Sequence, residues 1–95
     1  MNVISFSKKK TTDALQTIPG VGVRVAADLH ALGVHQISDL KGKSPESLYD
    51  ELIRLQGPVD RCMLYTFRCA VYYASHSKHD PEKLKWWNWK DSLFN

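Results

Sequence analysis

Residues 15–29 read LQTIPGVGVRVAADL, which is two apolar segments joined by a turn with glycine at alternate positions. Gly20 and Gly22 carry no Cβ, so both can adopt a positive φ and let another backbone come close. Val21 lies between them and can point back between the flanking helices. A helix begins immediately afterwards at Val23 with no capping side chain in the way. We therefore expect the N–H groups of the turn and of the helix start to face outward together, as in a phosphate-binding anion site.

Glycines, prolines and capping residues divide the chain into short helices. Thr12 is placed to cap a first helix through Ile18. A second helix over 23–32 ends before a glycine that suits a left-handed C-cap. A short segment over 34–40 follows, which Ser38 is placed to cap.

Two further helix starts combine a capping residue, a proline and an acid, at SPE 44–46 and DPE 80–82. The first opens a helix with an apolar stripe of leucines, and the second opens a last short helix that contains three tryptophans. Between them, the helical segment over 60–75 is apolar on almost all sides, which predicts a central helix packed on several sides. The pattern predicts an all-α fold, a compact bundle of five or six short helices. The leucines of the stripe are Leu48, Leu52 and Leu55.

Composition and length limit the class of protein. The chain has 95 residues, of which 43% are hydrophobic and 24% charged, as expected for one globular domain. We expect a flexible basic N-terminal arm at 1–11 and a single domain at 12–95. No apolar run reaches the roughly 18–20 residues of a membrane span, and residues 1–6 are too short for a signal-peptide core. We therefore expect a cytoplasmic protein without a membrane partner.

The net charge of +3 is unevenly distributed. Residues 1–43 carry twice as many bases as acids, whereas the bases and acids of residues 44–95 cancel. This excess is a mild electrostatic footprint for a polyanion, and a solvated surface explains it about equally well.

Residues 18–29 fit the pattern I-P-G-V-G-x-x-x-A-x-x-L, which resembles the helix-hairpin-helix motif. That motif binds DNA without sequence preference through the backbone amides of its hairpin. From about residue 12 to 91 the chain also resembles the small bacterial pathogenicity-locus family, whose members are labelled mitomycin-resistance proteins as well. The ending WWNWKD at 86–91 is the most specific part of this resemblance. It implies a helix-hairpin-helix fold of the SAM-like, polymerase-beta-N-terminal type and a link to DNA, without an assigned catalytic reaction.

Carried over onto this sequence, the motif implies backbone contacts to phosphate, with the Arg24 side chain best placed to reach a neighbouring phosphate. Lys41 and Lys43, in the loop that follows, are added to the predicted binding residues because they lie in the half of the chain with excess positive charge. The alternative is that the glycine-containing stretch is a tight helix–helix turn that serves only folding. The predicted nucleic-acid-binding residues are Gly20, Val21, Gly22, Val23, Arg24, Val25, Lys41 and Lys43.

Other reactive residue types point to structural roles. Cys62 and Cys69 are interpreted as reduced core thiols, and His76 and His79 as solvated loop histidines whose spacing fits no standard zinc frame. We therefore predict no catalytic residue, no metal, no cofactor and no enzymatic activity. The tryptophans at 86, 87 and 89 either stack on single-stranded bases or pack in the core. Trp86 is expected to be the exposed one and Trp87 to pack on the central helix.

The sequence thus predicts weak binding to the DNA backbone, with an affinity of roughly 10⁻⁴–10⁻⁶ M. A protein partner or a homodimer would supply the rest of the affinity. The alternative is a SAM-like protein–protein interaction adaptor that uses the aromatic C-terminal tail. An exposed Trp86 in an apolar patch with tyrosines would favour this adaptor.

Overall fold

Three α-helices carry the fold: α1 (Val23–Ala31), α2 (Pro45–Gln56) and α3 (Arg61–Ser75). The computed structural model describes residues 13–93 and contains no strand over that range, so the all-α prediction is confirmed. The prediction of five or six helices is wrong, because the remaining segments form only single 3₁₀ turns. These turns are Ala14–Thr17, Ile37–Leu40, Pro81–Leu84, Trp86–Trp89 and Asp91–Leu93.

The predicted basic arm at 1–11 lies outside the described residues, and so does Thr12, the predicted first cap. The cap of the first turn is Asp13, whose carboxylate accepts a hydrogen bond from the Leu15 N–H at 3.0 Å. The segment at Ile37–Leu40 is not capped by Ser38 either. Its cap is Gln36, which forms a reciprocal capping box with Asp39.

Helices α2 and α3 begin where their capping residues predict. Ser44 Oγ accepts a hydrogen bond from the Ser47 N–H at 3.2 Å, and a proline follows at the first position of α2. Asp60 accepts from the Cys62 N–H at 2.8 Å at the start of α3. Helix α2 ends at Gly57, as predicted. Local capping chemistry therefore fixes both boundaries of the α2–α3 loop.

One hydrophobic core joins all three helices. Phe67 of α3 is fully buried, together with apolar residues of α1, of α2 and of the segments that flank α1. Leu55, in contrast, is 59% exposed, so the predicted three-leucine stripe of α2 holds only for Leu48 and Leu52. The other fully buried large side chains are Leu15, Ile18, Leu29, Leu40, Leu52, Leu64, Val34 and Cys69.

The C-terminal segment does not form the predicted short helix but three consecutive 3₁₀ turns. It is fastened to α3 by two arginines. Arg61 Nε lies 2.7 Å from Asp91 Oδ2, and Arg68 Nη2 lies 2.9 Å from Asp91 Oδ1. Arg68 also donates to the Trp89 carbonyl at 2.8 Å and pairs with Glu46 of α2 at 3.1 Å. This segment is therefore held in place by ion pairs and by a side-chain hydrogen bond to its backbone. It does not rely on the hydrogen bonds of an α-helix.

The Asp91 pairing predicts a pH-dependent contribution to stability. The Arg61 and Arg68 guanidinium groups lower the pKa of Asp91 from 3.8 to about 2, so folding favours the ionised carboxylate. This stabilisation is fully present above the unfolded pKa and is lost as the pH falls through the folded pKa. We expect Asp91→Asn to lower the melting temperature at neutral pH, and its difference from the wild type to shrink between pH 4 and pH 2. A difference that is the same at both pH values would contradict the ion-pair explanation.

None of the helices within residues 13–93 combines the length and the apolar character that crossing a bilayer requires.

Candidate nucleic-acid interface

The chain reverses direction at Gly20, which has a φ of +86°. The turn is closed by the Val21 N–H, which donates to the Ile18 carbonyl at 3.0 Å. Gly22, with φ −95° and ψ −167°, is extended. The predicted positive φ is therefore confirmed at Gly20 and wrong at Gly22. The reversal is already complete at Gly20, and Gly22 only has to supply the extended N-cap of α1.

The N-terminus of α1 lies at the protein surface without a side-chain cap. Gly22 is its N-cap and offers no side chain, and the Ala26 N–H donates to the Gly22 carbonyl at 3.0 Å. The first N–H groups of a helix have no partner within it, here those of Val23, Arg24 and Val25. Val23 is 74% exposed and Arg24 is exposed as well. Three backbone donors and one guanidinium thus stand together at the positive end of the helix dipole.

Val21 is 5% exposed, and both its side chain and its N–H are engaged within the protein. It packs in the same core cluster as Ile18 and Leu29, one from each side of the bend. Of the predicted binding residues, Val21 therefore holds the bend in shape rather than facing solvent.

A chain of polar side chains connects the segment before the bend to the end of α1. Asp13 Oδ2 lies 2.6 Å from His30 Nε2, and His30 Nδ1 lies 2.8 Å from His35 Nδ1. Burial raises the pKa of Asp13, but the hydrogen bonds from His30 and the Leu15 N–H outweigh it and lower that pKa. No sequence pattern predicts this contact, because Asp13 and His30 lie on opposite sides of the bend and are 17 residues apart.

Trp86 contacts Gly20, which remains exposed. A Cβ placed on Gly20 would lie 3.3 Å from Trp86 Cδ1. Trp86 is half-buried and Trp87 is 48% exposed, so the predicted exposure of these two tryptophans is reversed. The buried Cys69 thiol lies 4.0 Å from the Pro19 carbonyl and 3.6 Å from the Lys83 carbonyl, between the bend and the C-terminal segment.

An open depression of about 490 Å³ lies beside Arg24, between α1, the α2–α3 loop and α3. Asp28 and Asp60 contribute carboxylates to it, and Asp28 Oδ2 is buried without a hydrogen-bond partner. A phosphate inside the depression would be repelled by these carboxylates. These carboxylates therefore oppose the attraction of Arg24 for a phosphate inside the depression.

The structure places Lys41 and Lys43 beside the end of α3 and not beside Arg24. The N–H of Gly42 between them donates to Ser75 Oγ at 3.2 Å, at the last residue of α3. The depression beside Arg24 is lined instead by Cys62 from the first turn of α3. Thirteen helical residues separate these two levels, or about 20 Å along the axis. The two lysines and Arg24 thus lie at different levels along α3.

A comparison with family models matches residues 8–93 to the family described as Cdd1, pathogenicity locus. The chain belongs to the pathogenicity locus family. The match covers nearly the whole sequence and confirms the resemblance to this family that the sequence motifs indicated. The comparisons with curated proteins and with solved structures found no match.

In this pathogenicity locus protein, the distinctive ending at 86–91 mainly makes contacts within the protein. Trp86 packs on Gly20, and the Asn88 amide donates to the Glu82 carbonyl at 2.8 Å. The Trp89 indole N–H donates to the Lys83 carbonyl at 2.8 Å. Together with the Asp91 ion pairs, these contacts seat the segment against α3 and the bend.

The two cysteines differ in environment. Cys69 is buried as predicted, whereas Cys62 is exposed because it lies in the first turn of α3, beside the open depression. Burial raises the pKa of Cys69 to about 11, and the Asp60 side-chain hydrogen bond raises the pKa of Cys62. Both shifts disfavour the thiolate that a nucleophilic cysteine requires.

The loop histidines bond to the end of α3. His76 Nδ1 lies 3.0 Å from the Tyr72 carbonyl, and His79 Nε2 lies 2.8 Å from the Tyr73 carbonyl. His79 also stacks on the Tyr73 ring and is half-buried, so only His76 fits the prediction of a solvated loop histidine. Over residues 13–93 no group of three or more potential ligands is arranged to hold a metal ion.

Proposed function

We propose that this protein binds the nucleic-acid backbone, without sequence preference, at the bend that precedes α1. The observation that carries the proposal is the uncapped N-terminus of α1, exposed together with Arg24. Backbone N–H groups at a helix N-terminus are suited to a phosphate diester, and such contacts carry no base information. DNA is the polyanion that the family resemblance and the hairpin pattern favour.

The helix-hairpin-helix interpretation belongs to the same proposal. The glycine-containing bend and the helix that follows it support the interpretation, since both have the backbone form that the motif requires. The segment before the bend departs from a two-helix hairpin, because within the described residues it is a single 3₁₀ turn, Ala14–Thr17. Its apolar residues, Leu15 and Ile18, are nevertheless fully buried against α1. The core therefore anchors the segment before the bend to α1.

The size of the site implies weak binding. One bend and one arginine neutralise about two or three phosphates, which gives a salt slope of about −2 to −3 and an affinity of roughly 10⁻⁴–10⁻⁶ M. Lys41 and Lys43 are not counted among these contacts, since they lie beside the last turn of α3 whereas Arg24 lies beside its first. A protein partner or a second copy of the chain would raise the affinity by linking two such sites.

Arg24→Glu tests the proposal directly. We expect this charge reversal to weaken the binding of a labelled DNA duplex by at least about tenfold at low salt, because it repels the phosphates it formerly attracted. Arg24 is exposed, so the melting temperature should hardly change. Fluorescence anisotropy titrations at low and at moderate salt measure both the affinity and the salt slope.

Lys78→Glu is the matched control, since Lys78 is an exposed base in the loop after α3. It changes the net charge by the same amount at a distance from the bend. Equal losses in Arg24→Glu and Lys78→Glu would indicate diffuse attraction to a basic protein and would refute a site at the bend. Unchanged binding in Arg24→Glu would refute it as well.

An exposed Trp86 in an apolar patch with tyrosines would favour the adaptor alternative. Trp86 instead packs against Gly20 and is half-buried, so the patch lacks its predicted centre. The adaptor role, the absence of catalysis and the cytoplasmic location stay predictions from the sequence.

A further inference from the structure

The three tryptophans of the C-terminal segment have different surroundings. Trp86 contacts Gly20, and Trp89 donates its indole N–H to a carbonyl within the same segment. Trp87 is 48% exposed, and its ring contact is an edge-on one with Trp86. A large aromatic ring that is half in solvent stabilises the fold less than its buried neighbours do. Trp87 thus offers an aromatic surface to solvent beside the Trp86 ring.

Trp87 is connected to the bend through the Trp86 ring. Trp86 lies against Gly20, and the ring centroids of Trp86 and Trp87 are 5.8 Å apart with an interplanar angle of 87°. The bend, Trp86 and Trp87 thus follow one another. A nucleic-acid strand whose backbone contacted the bend would reach the Trp87 ring by extending past Trp86.

We propose that Trp87 stacks on an unpaired base, so that the preferred ligand is single-stranded nucleic acid or the single-stranded part of a partly paired one. This inference rests on the proposed function, since the bend supplies the backbone contact. Proteins that bind single strands combine backbone attraction with aromatic rings on which bases stack. Bases inside a duplex are already stacked on each other and cannot use an exposed indole, so Trp87 distinguishes the two forms.

The test compares a labelled oligothymidylate with a blunt-ended duplex of the same length, using the full chain. We expect Trp87→Ala to weaken oligothymidylate binding by about tenfold or more and to leave duplex binding unchanged. Trp87→Phe, which keeps an aromatic ring, should retain most of the affinity. Leu55→Ala is the matched control, because Leu55 is another exposed apolar side chain but lies on α2. Oligothymidylate should also quench tryptophan fluorescence in the wild type and quench it less in Trp87→Phe.

The outcomes separate this inference from the proposed function. If Arg24→Glu weakens both probes and Trp87→Ala weakens neither, the bend binds nucleic acid and the stacking proposal is refuted. If Trp87→Ala weakens only the oligothymidylate and Arg24→Glu has no effect, stacking is supported and the phosphate site is refuted. Equal losses in Trp87→Ala and Leu55→Ala, or a loss that Trp87→Phe does not restore, would also refute stacking.

Discussion

Phe67→Ala is expected to lower the free energy of unfolding by about 3–5 kcal/mol, the range measured for large-to-small replacements of buried aromatic residues. Phe67 is fully buried in the middle of α3, where the core residues of the other helices meet it. Its removal takes away apolar contacts and leaves a cavity that three helices cannot close without moving. Native proteins have only about 5–15 kcal/mol in total, so this variant should lose a large fraction of its stability. Urea denaturation followed by circular dichroism measures the loss.

Leu55→Ala is the control for Phe67→Ala, because it truncates an apolar side chain outside the core. Leu55 belongs to the apolar stripe predicted for α2, but it is 59% exposed, so its truncation should change stability by no more than about 0.5 kcal/mol. A loss in Leu55→Ala as large as that in Phe67→Ala would mean that the face of α2 bearing Leu55 is covered in solution. A loss below about 1 kcal/mol in Phe67→Ala would contradict its place at the centre of the core.

Gly20→Ala is expected to destabilise the protein by about 1–2 kcal/mol, because a residue with a Cβ pays that cost in a left-handed conformation. Gly20 has a φ of +86°, and the new Cβ would lie 3.3 Å from Trp86 Cδ1. Trp86 would have to shift by a few tenths of an ångström, which should change the tryptophan fluorescence of the folded protein. Thermal unfolding and emission spectra therefore report the two consequences separately.

Gly22→Ala, two residues further on, is the control for backbone strain. Gly22 is extended at φ −95°, and no atom lies within 4 Å of the position that its Cβ would take. Alanine is a poorer N-cap than glycine but also restricts the unfolded chain, and these effects nearly offset each other. We expect a change within about 0.5 kcal/mol. Equal destabilisation by both alanines would contradict the assignment of the reversal to Gly20 alone.

Local chemistry made much of the fold predictable. Ser44 and Asp60 cap helices because their side-chain oxygens reach N–H groups two or three residues away, which depends on the nearby sequence alone. The bend was predictable for the same reason, since proline and glycine restrict backbone angles wherever they stand. The uncapped start of α1 follows directly from the absence of a side chain at Gly22.

Contacts between distant segments were not predictable in this way. Three tryptophans within four residues give no periodic signal that says which one faces the core, so the exposures of Trp86 and Trp87 were assigned in reverse. The contact between Asp13 and His30 joins residues that no sequence pattern pairs. The separation of Lys41 and Lys43 from Arg24 depends on the direction in which α3 runs between them.

The amino-acid sequence by itself determined the all-α class, the boundaries of α2 and α3, the bend at Gly20 and the family, because capping, backbone restriction and motif spacing act over a few residues. Only the tertiary structure decided that Gly22 is extended, that Leu55, Cys62 and Trp87 face solvent, and that Arg24 and the two lysines lie at different levels along α3. Those features depend on which surfaces of the helices meet. That choice is made by the packing of the whole core, in which side chains far apart in the chain compete for the same space.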